Sequence, residues 1–170
     1  MRVILAKTAG FCYGVERAVA LAHETARESG GAMLGSVIHN AEVVSQPERE
    51  GLRLISSPEE AREGEAVLLR SHGERREVIE ALLSRGARIV SAVCPNVQRI
   101  ERLAADAERE GRQVVIIGEK EHPEVAGIAS RCARPLIFGG PEEVAKWVES
   151  GENAADLPIT AVAQTTCIRA

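Results

Sequence analysis

Six groups of reactive side chains in this 170-residue sequence share one local setting, placed directly after a short apolar run and before a stretch of helical periodicity or the chain's end. Cys12 stands in Ala9-Gly10-Phe11-Cys12-Tyr13-Gly14-Val15-Glu16-Arg17-Ala18 and His39 in Ile38-His39-Asn40; His72 stands in Arg70-Ser71-His72-Gly73 and Cys94 in Cys94-Pro95. His122-Pro123-Glu124 and Gln164-Thr165-Thr166 complete the set. A thiol between a strand end and a helix start is stabilised as thiolate by free backbone N–H groups. Gly10 and Gly14 bracket Cys12 and leave room for the backbone to approach a bulky ligand. Taken singly, each residue has a plainer account: a lone cysteine packs in a core, a histidine caps a helix or bonds a turn, and Glu124 complements a helix dipole. The fourth histidine, His23, falls mid-helix and is expected to be exposed.

Two thiols and three imidazoles converging point to a metal or a phosphate. Zinc in a mixed Cys/His site is one reading, although such sites carry a closely spaced ligand pair and the cysteines at 12, 94, 132 and 167 form none. Iron–sulfur ligation by cysteines from separate strand ends is the other, leaving imidazolium groups for an anion. Neither a GxxxxGK[ST] nor a GxGxxG run is present, so a phosphate needs other donors.

The elements that must position these residues follow from hydrophobic periodicity. Val3 to Ala6 reads as a buried strand, and Val15, Ala18, Val19, Ala22 and Ala26 repeat at helical spacing up to Ser29-Gly30-Gly31. Strands are expected at 32–37, 52–55, 66–69, 87–90, 113–118, 135–138 and 158–163. Helices fall between them, the one over 40–51 interrupted by Pro47 and the one from Pro95 started by its proline. Such alternation predicts an α/β protein of two small three-layer units with parallel sheets. The expected division is an N-terminal strand and cysteine turn over 1–12, a first unit over 13–95 and a second over 96–170. Parallel sheets of this kind bind ligands at the carboxyl ends of their strands, where all six groups lie.

A hydrophobic content of 45% supports a folded core, and no apolar run reaches membrane-spanning length or forms a signal peptide, so a cytoplasmic location is expected. The formal charge of -4 and the few aromatic residues provide neither a basic face nor stacking platforms for nucleic acid.

These motifs, in this order, resemble those of the 4-hydroxy-3-methylbut-2-enyl diphosphate reductase family. The resemblance covers the whole sequence but only the first half to two thirds of the family's usual chain. It implies a pseudo-threefold architecture of three α/β units, the third absent here, around a [4Fe-4S] cluster held by three cysteines. It also implies reductive removal of an allylic hydroxyl to give isopentenyl and dimethylallyl diphosphate in the non-mevalonate route to isoprenoids. By this likeness Cys12 and Cys94 are two cluster ligands; His39, His72 and His122 line the diphosphate pocket; Glu124 delivers protons; Thr165 bonds the substrate hydroxyl. Ferredoxin or flavodoxin would supply the electrons, and a homodimer is a possible source of a missing ligand. Ser91-Ala92-Val93-Cys94-Pro95 departs from the family's Asp-Ala-Thr-Cys-Pro, and the family's third cysteine and Ser-x-Asn motif belong to the third unit. Cys132 and Cys167 are expected to pack or to be exposed. Two other readings remain: a non-catalytic relative that binds a diphosphate or a cluster, and a zinc-binding α/β module.

Overall fold

Ala66-Val67-Leu68-Leu69 is buried along its whole length, as a strand flanked by parallel partners and covered by helices on both faces must be. The computed structural model describes residues 3, 4, 6, 7, 9–38, 40–151 and 157–167. Within them the chain runs α1 (Tyr13–Ser29), β1 (Gly31–Leu34), α2 (Ala41–Arg49), β2 (Leu52–Ile55), a 3₁₀ turn (Pro58–Glu60), β3 (Ala66–Leu69), α3 (Arg76–Ser84) and β4 (Arg88–Ser91). It continues through α4 (Pro95–Arg109), β5 (Gln113–Ile117), α5 (Pro123–Ala129), β6 (Leu136–Phe138), α6 (Pro141–Ser150) and β7 (Ile159–Ala163).

Two separate parallel sheets result, ordered β2-β1-β3-β4 and β6-β5-β7. The register Met33↔Leu68 and Leu34↔Leu69 turns alternate residues to opposite faces. Met33, Leu52 and Leu68 meet Ala18, Ala22 and Ala26 of α1 on one side. Leu34, Val67 and Leu69 meet Leu82 of α3 and Val97 of α4 on the other. In the second sheet, Val114 and Ile116 pack on Ala104 and Ala107 of α4 and on Val125 and Ile128 of α5. Phe138 of β6 packs against Trp147 of α6, with ring centroids 5.4 Å apart. The fold is thus α/β with two small parallel units, as the periodicity predicts. The first turn of α4 belongs to one core and its later turns to the other, so this helix ties the units together.

Three expectations are corrected. Val3 and Ile4 form no strand and are 75% and 77% exposed, because an apolar run alone supplies no hydrogen-bonding neighbour. The first strand stops at Leu34 rather than Val37: Gly35 adopts φ +66 and gives its N–H to the Ile55 carbonyl at 2.9 Å, which turns the chain. His23 is not merely exposed; its Nδ1 lies 2.8 Å from Glu50 Oε2, linking α1 to the end of α2. The helix over 41–49 accommodates Pro47.

The His23 hydrogen bond holds the Glu50 carboxyl below its ordinary range. A depressed carboxylate stabilises the fold above its unfolded pKa, and that contribution is lost as pH falls through the folded value. In thermal melts, the Tm advantage of the parent over Glu50→Gln is therefore expected to be present at neutral pH and to vanish on acidification through the carboxylate range. Among the described residues no helix is long and apolar enough to cross a membrane.

Candidate functional site

Both cysteines cap helices. Cys12 is the N-cap of α1, its carbonyl accepting from the Glu16 N–H at 3.0 Å, and Cys94 is the N-cap of α4, with Pro95 at the first helical position. What joins them across the fold is Gly14. A Cβ built on that glycine would lie 2.8 Å from Cys94 Sγ and 4.0 Å from Cys12 Sγ, so both sulfurs face one small space that only a residue without a side chain leaves open. A two-thiolate half of a metal or cluster site fits this cradle. Desolvation, then the adjacent Cys94 and Cys12 thiols, push the Tyr13 phenol above its ordinary value.

Arg17 holds the two cysteine turns in register. From α1 its Nη1 donates to the Val93 carbonyl at 3.2 Å and its Nη2 to the Ser91 carbonyl at 3.1 Å, gripping the loop that leads into Cys94. Gln98 Nε2 adds a bond to the same Val93 carbonyl at 3.1 Å, while the Val93 side chain is buried. The Cys94 N–H donates to the Ser71 carbonyl at 2.9 Å, and Ser71 Oγ donates to the Val37 carbonyl at 3.1 Å. The ends of β1, β3 and β4 are thereby fixed to one another. Arg17→Ala is expected to cost about 1–2 kcal/mol, the partly exposed guanidinium being worth less than a buried one, and to free the Cys94 turn. The checks are a thermal melt and faster alkylation of Cys94, read by peptide mass.

The second unit contributes an acid. Glu124 lies in the first turn of α5 with no exposed surface, and both of its oxygens are used by one residue. The Thr165 N–H donates to Oε1 at 2.6 Å and Thr165 Oγ1 donates to Oε2 at 2.8 Å. Gln164 fixes the Thr165 loop: its Oε1 accepts from the Glu119 N–H at 3.1 Å and its Nε2 donates to Thr166 Oγ1 at 2.7 Å. Gly118 is required beneath it, since a Cβ there would fall 2.7 Å from Val125 Cγ2 and 2.8 Å from Gln164 Oε1.

His122 caps α5 through its ring. Nδ1 accepts from the Glu124 N–H at 3.2 Å, which leaves Nε2 as the ring nitrogen that can donate elsewhere. The His72 ring stands edge-on to it, centroids 5.5 Å apart at 83°. One cleft is lined by Cys12, Gly14, Ser71, His72, Cys94, Glu124, Thr165 and Thr166, drawing on both units. Of the seven residues singled out in the sequence, Cys12, His72, Cys94, Glu124 and Thr165 therefore share a cleft, His122 adjoins it through His72, and His39 lies outside the described residues. Among the described residues no three His, Cys, Asp or Glu side chains converge as a metal-holding group. Cys132 packs on the second core, where burial pushes its thiol up to about 11, and Cys167 is exposed.

The LytB protein family model matches residues 3–170. The chain belongs to the LytB family. Family members similar to it include the 4-hydroxy-3-methylbut-2-enyl diphosphate reductase of Caldanaerobacter subterraneus subsp. tengcongensis, 34% identical over 99% of this chain and 58% of the relative. The reductase of Geobacter sulfurreducens is 39% identical over 98% of this chain and 57% of the relative, and that of Aquifex aeolicus 44% identical over 74% and 44%. A solved structure of (E)-4-hydroxy-3-methyl-but-2-enyl diphosphate reductase, described as the terminal enzyme of the non-mevalonate pathway, superposes with a TM-score of 0.81 at 38% identity, covering 98% of this chain and 59% of that one. The fold also matches a Plasmodium falciparum structure with a TM-score of 0.85 at 22% identity. This LytB-family chain spans a little over half the length of the fuller relatives it matches.

Proposed function

We propose that this chain forms the cluster-facing and proton-handling part of a reductase that removes the hydroxyl of 4-hydroxy-3-methylbut-2-enyl diphosphate, with the two units divided near residue 95. The observation that carries the reading is the buried Glu124–Thr165 pair opening into the same cleft as Cys12 and Cys94. Binding of an inert anion needs no buried acid paired to a hydroxyl; cleavage of a C–O bond does.

The reaction breaks one C–O bond, forms one C–H bond and releases water, consuming two electrons and two protons. Bound to Cys12 and Cys94, with further ligation from outside these two residues, a [4Fe-4S] cluster would relay the electrons and supply a Lewis-acidic iron. Thr165 Oγ1 is the atom that reaches toward the substrate hydroxyl. With Glu124 protonated at Oε2, its proton passes to Thr165 Oγ1 as the threonine hydroxyl turns its own proton to the leaving oxygen. The Thr165 N–H keeps Oε1 in place throughout. His72, His122 and His39 would hold the diphosphate, His122 through Nε2–H, which replaces the glycine-rich loop that the sequence lacks. Ferredoxin or flavodoxin as donor, a cytoplasmic setting and self-association to complete the ligand set belong to the same proposal.

Anaerobic purification of a protein that carries this segment with the remainder of the family's length tests it. A brown protein with iron and acid-labile sulfide, both lost in Cys12→Ser and Cys94→Ser, is expected. A colourless protein carrying stoichiometric zinc would overturn the reading.

A further inference from the structure

One carboxylate near the cleft has no part in this chemistry. Glu101, two turns along α4 from Cys94, has a side chain only 14% exposed. Its Oε2 accepts from Arg131 Nη2 at 3.3 Å, whereas Oε1 is buried with no hydrogen-bond partner among the described residues. A half-satisfied carboxylate is costly to bury, and replacing such a pair with apolar residues is often neutral or favourable, so stability alone does not account for it. Its position does suggest a role. Oε1 lies 2.9 Å from where a Cβ on Gly73 would stand and 3.2 Å from one on Gly127. Gly73 follows His72 in the chain, and Gly127 lies one turn beyond Glu124. The same seam is fastened by Arg131 Nη2 donating to the Glu74 carbonyl at 3.4 Å and by the Arg76 N–H donating to Ser130 Oγ at 2.9 Å. The two glycines let the turn after His72 and helix α5 close on the carboxylate from either side.

We propose that Glu101, held by Arg131, is a positioning residue that seats the His72 turn on α5, sets the spacing of the His72 and His122 rings, and so tunes the grip on the phosphate end of the ligand. The phosphate clause rests on the function proposed above; the ring spacing does not. Arg131 is the hinge pin of this arrangement because it bonds both Glu101 and the backbone of the His72 turn.

The test uses Glu101→Ala, Arg131→Met and Glu101→Gln in the 170-residue chain. Two readouts are taken: the ring ¹⁵N–¹H resonances of His72 and His122, and the affinity for inorganic pyrophosphate. Glu101→Ala and Arg131→Met are expected to shift both rings' resonances and to weaken pyrophosphate about fivefold or more. Glu101→Gln, whose amide oxygen still accepts from Arg131, is expected to keep parent resonances and affinity within twofold. A purely structural role would make all three variants differ only in melting temperature, and unmoved ring resonances in the folded Ala and Met variants overturn the proposal. Should Glu101→Ala fail to fold, Arg131→Met and Glu101→Gln decide on the same criteria. If the parent chain binds no pyrophosphate, the diphosphate reading falls, while the ring resonances still decide for or against the positioning role.

Discussion

Glu124→Gln is expected to lower turnover about 10²- to 10⁴-fold while changing stability by about 1 kcal/mol or less. The disparity follows from how the carboxyl is bonded. Thr165 addresses both oxygens, one through an N–H that can only donate and one through a hydroxyl that can donate or accept. A glutamine in the same rotamer places its carbonyl oxygen against the Thr165 N–H and its NH₂ against Oγ1, and the hydroxyl rotates to accept. Both bonds survive and the buried volume is unchanged. What disappears is an acid able to give up a proton. Reductive turnover of the allylic diphosphate, measured anaerobically in a protein that carries this segment with the remainder of the family's length, provides the check, with a thermal melt alongside. Turnover within twofold of the parent would remove Glu124 from proton delivery. Thr165→Val sharpens the comparison, since it retains the N–H bond to Oε1 and deletes only the hydroxyl proposed to relay.

Gly14→Ala is expected to reduce iron and sulfide uptake about 10- to 100-fold with little loss of fold. Two effects oppose each other at this position. Alanine is the better helix former, by up to about 1 kcal/mol, and Gly14 sits in the first turn of α1 with an ordinary helical backbone. Against that, the new methyl would stand 2.8 Å from Cys94 Sγ, about 1 Å inside normal contact, with Cys12 Sγ 4.0 Å away. Metal ligands tolerate displacements of only about 0.2 Å. The sulfurs must part or rotate away, so the helix gains while the thiolate pair is lost. Iron and acid-labile sulfide per chain after anaerobic reconstitution measure the effect, and circular dichroism shows that α1 persists. Parent-level loading would mean that the space above Gly14 holds no ligand.

The fold was largely legible because its strands are continuous apolar runs and its helices carry small residues at regular spacing, both of which are local signals. Ala18, Ala22 and Ala26 are the buried stripe that their spacing predicts. Val3 and Ile4 carry the same local signal and form no strand, because pairing depends on a neighbour that periodicity cannot see. The site was readable in a different way. Strand-end placement brings Cys12, His72, Cys94, Glu124 and Thr165 to one cleft between the two sheets' ends, yet that Glu124 belongs to Thr165, 41 residues away, is not written in spacing. Arg17, Gly118 and Glu101 carry no local signal for the same reason. Arg17 reads as an exposed helical cation until its bonds to Val93 and Ser91, more than seventy residues on, are seen. Gly118 reads as the end of a strand until Gln164 is set above it. His122 reads as the head of a helix, but which of its ring nitrogens accepts the Glu124 N–H is set by the fold and not by spacing.

The bond from the Glu124 amide to the His122 ring makes one imidazole serve two masters. A ligand oxygen that draws on the Nε2 proton polarises the ring and makes the opposite nitrogen a better acceptor, tightening the first turn of α5 at the moment of occupancy. On the function proposed above, recognition of the anion and readiness of the acid would be one event, and the exchange rate of a single amide proton, that of Glu124, would report both.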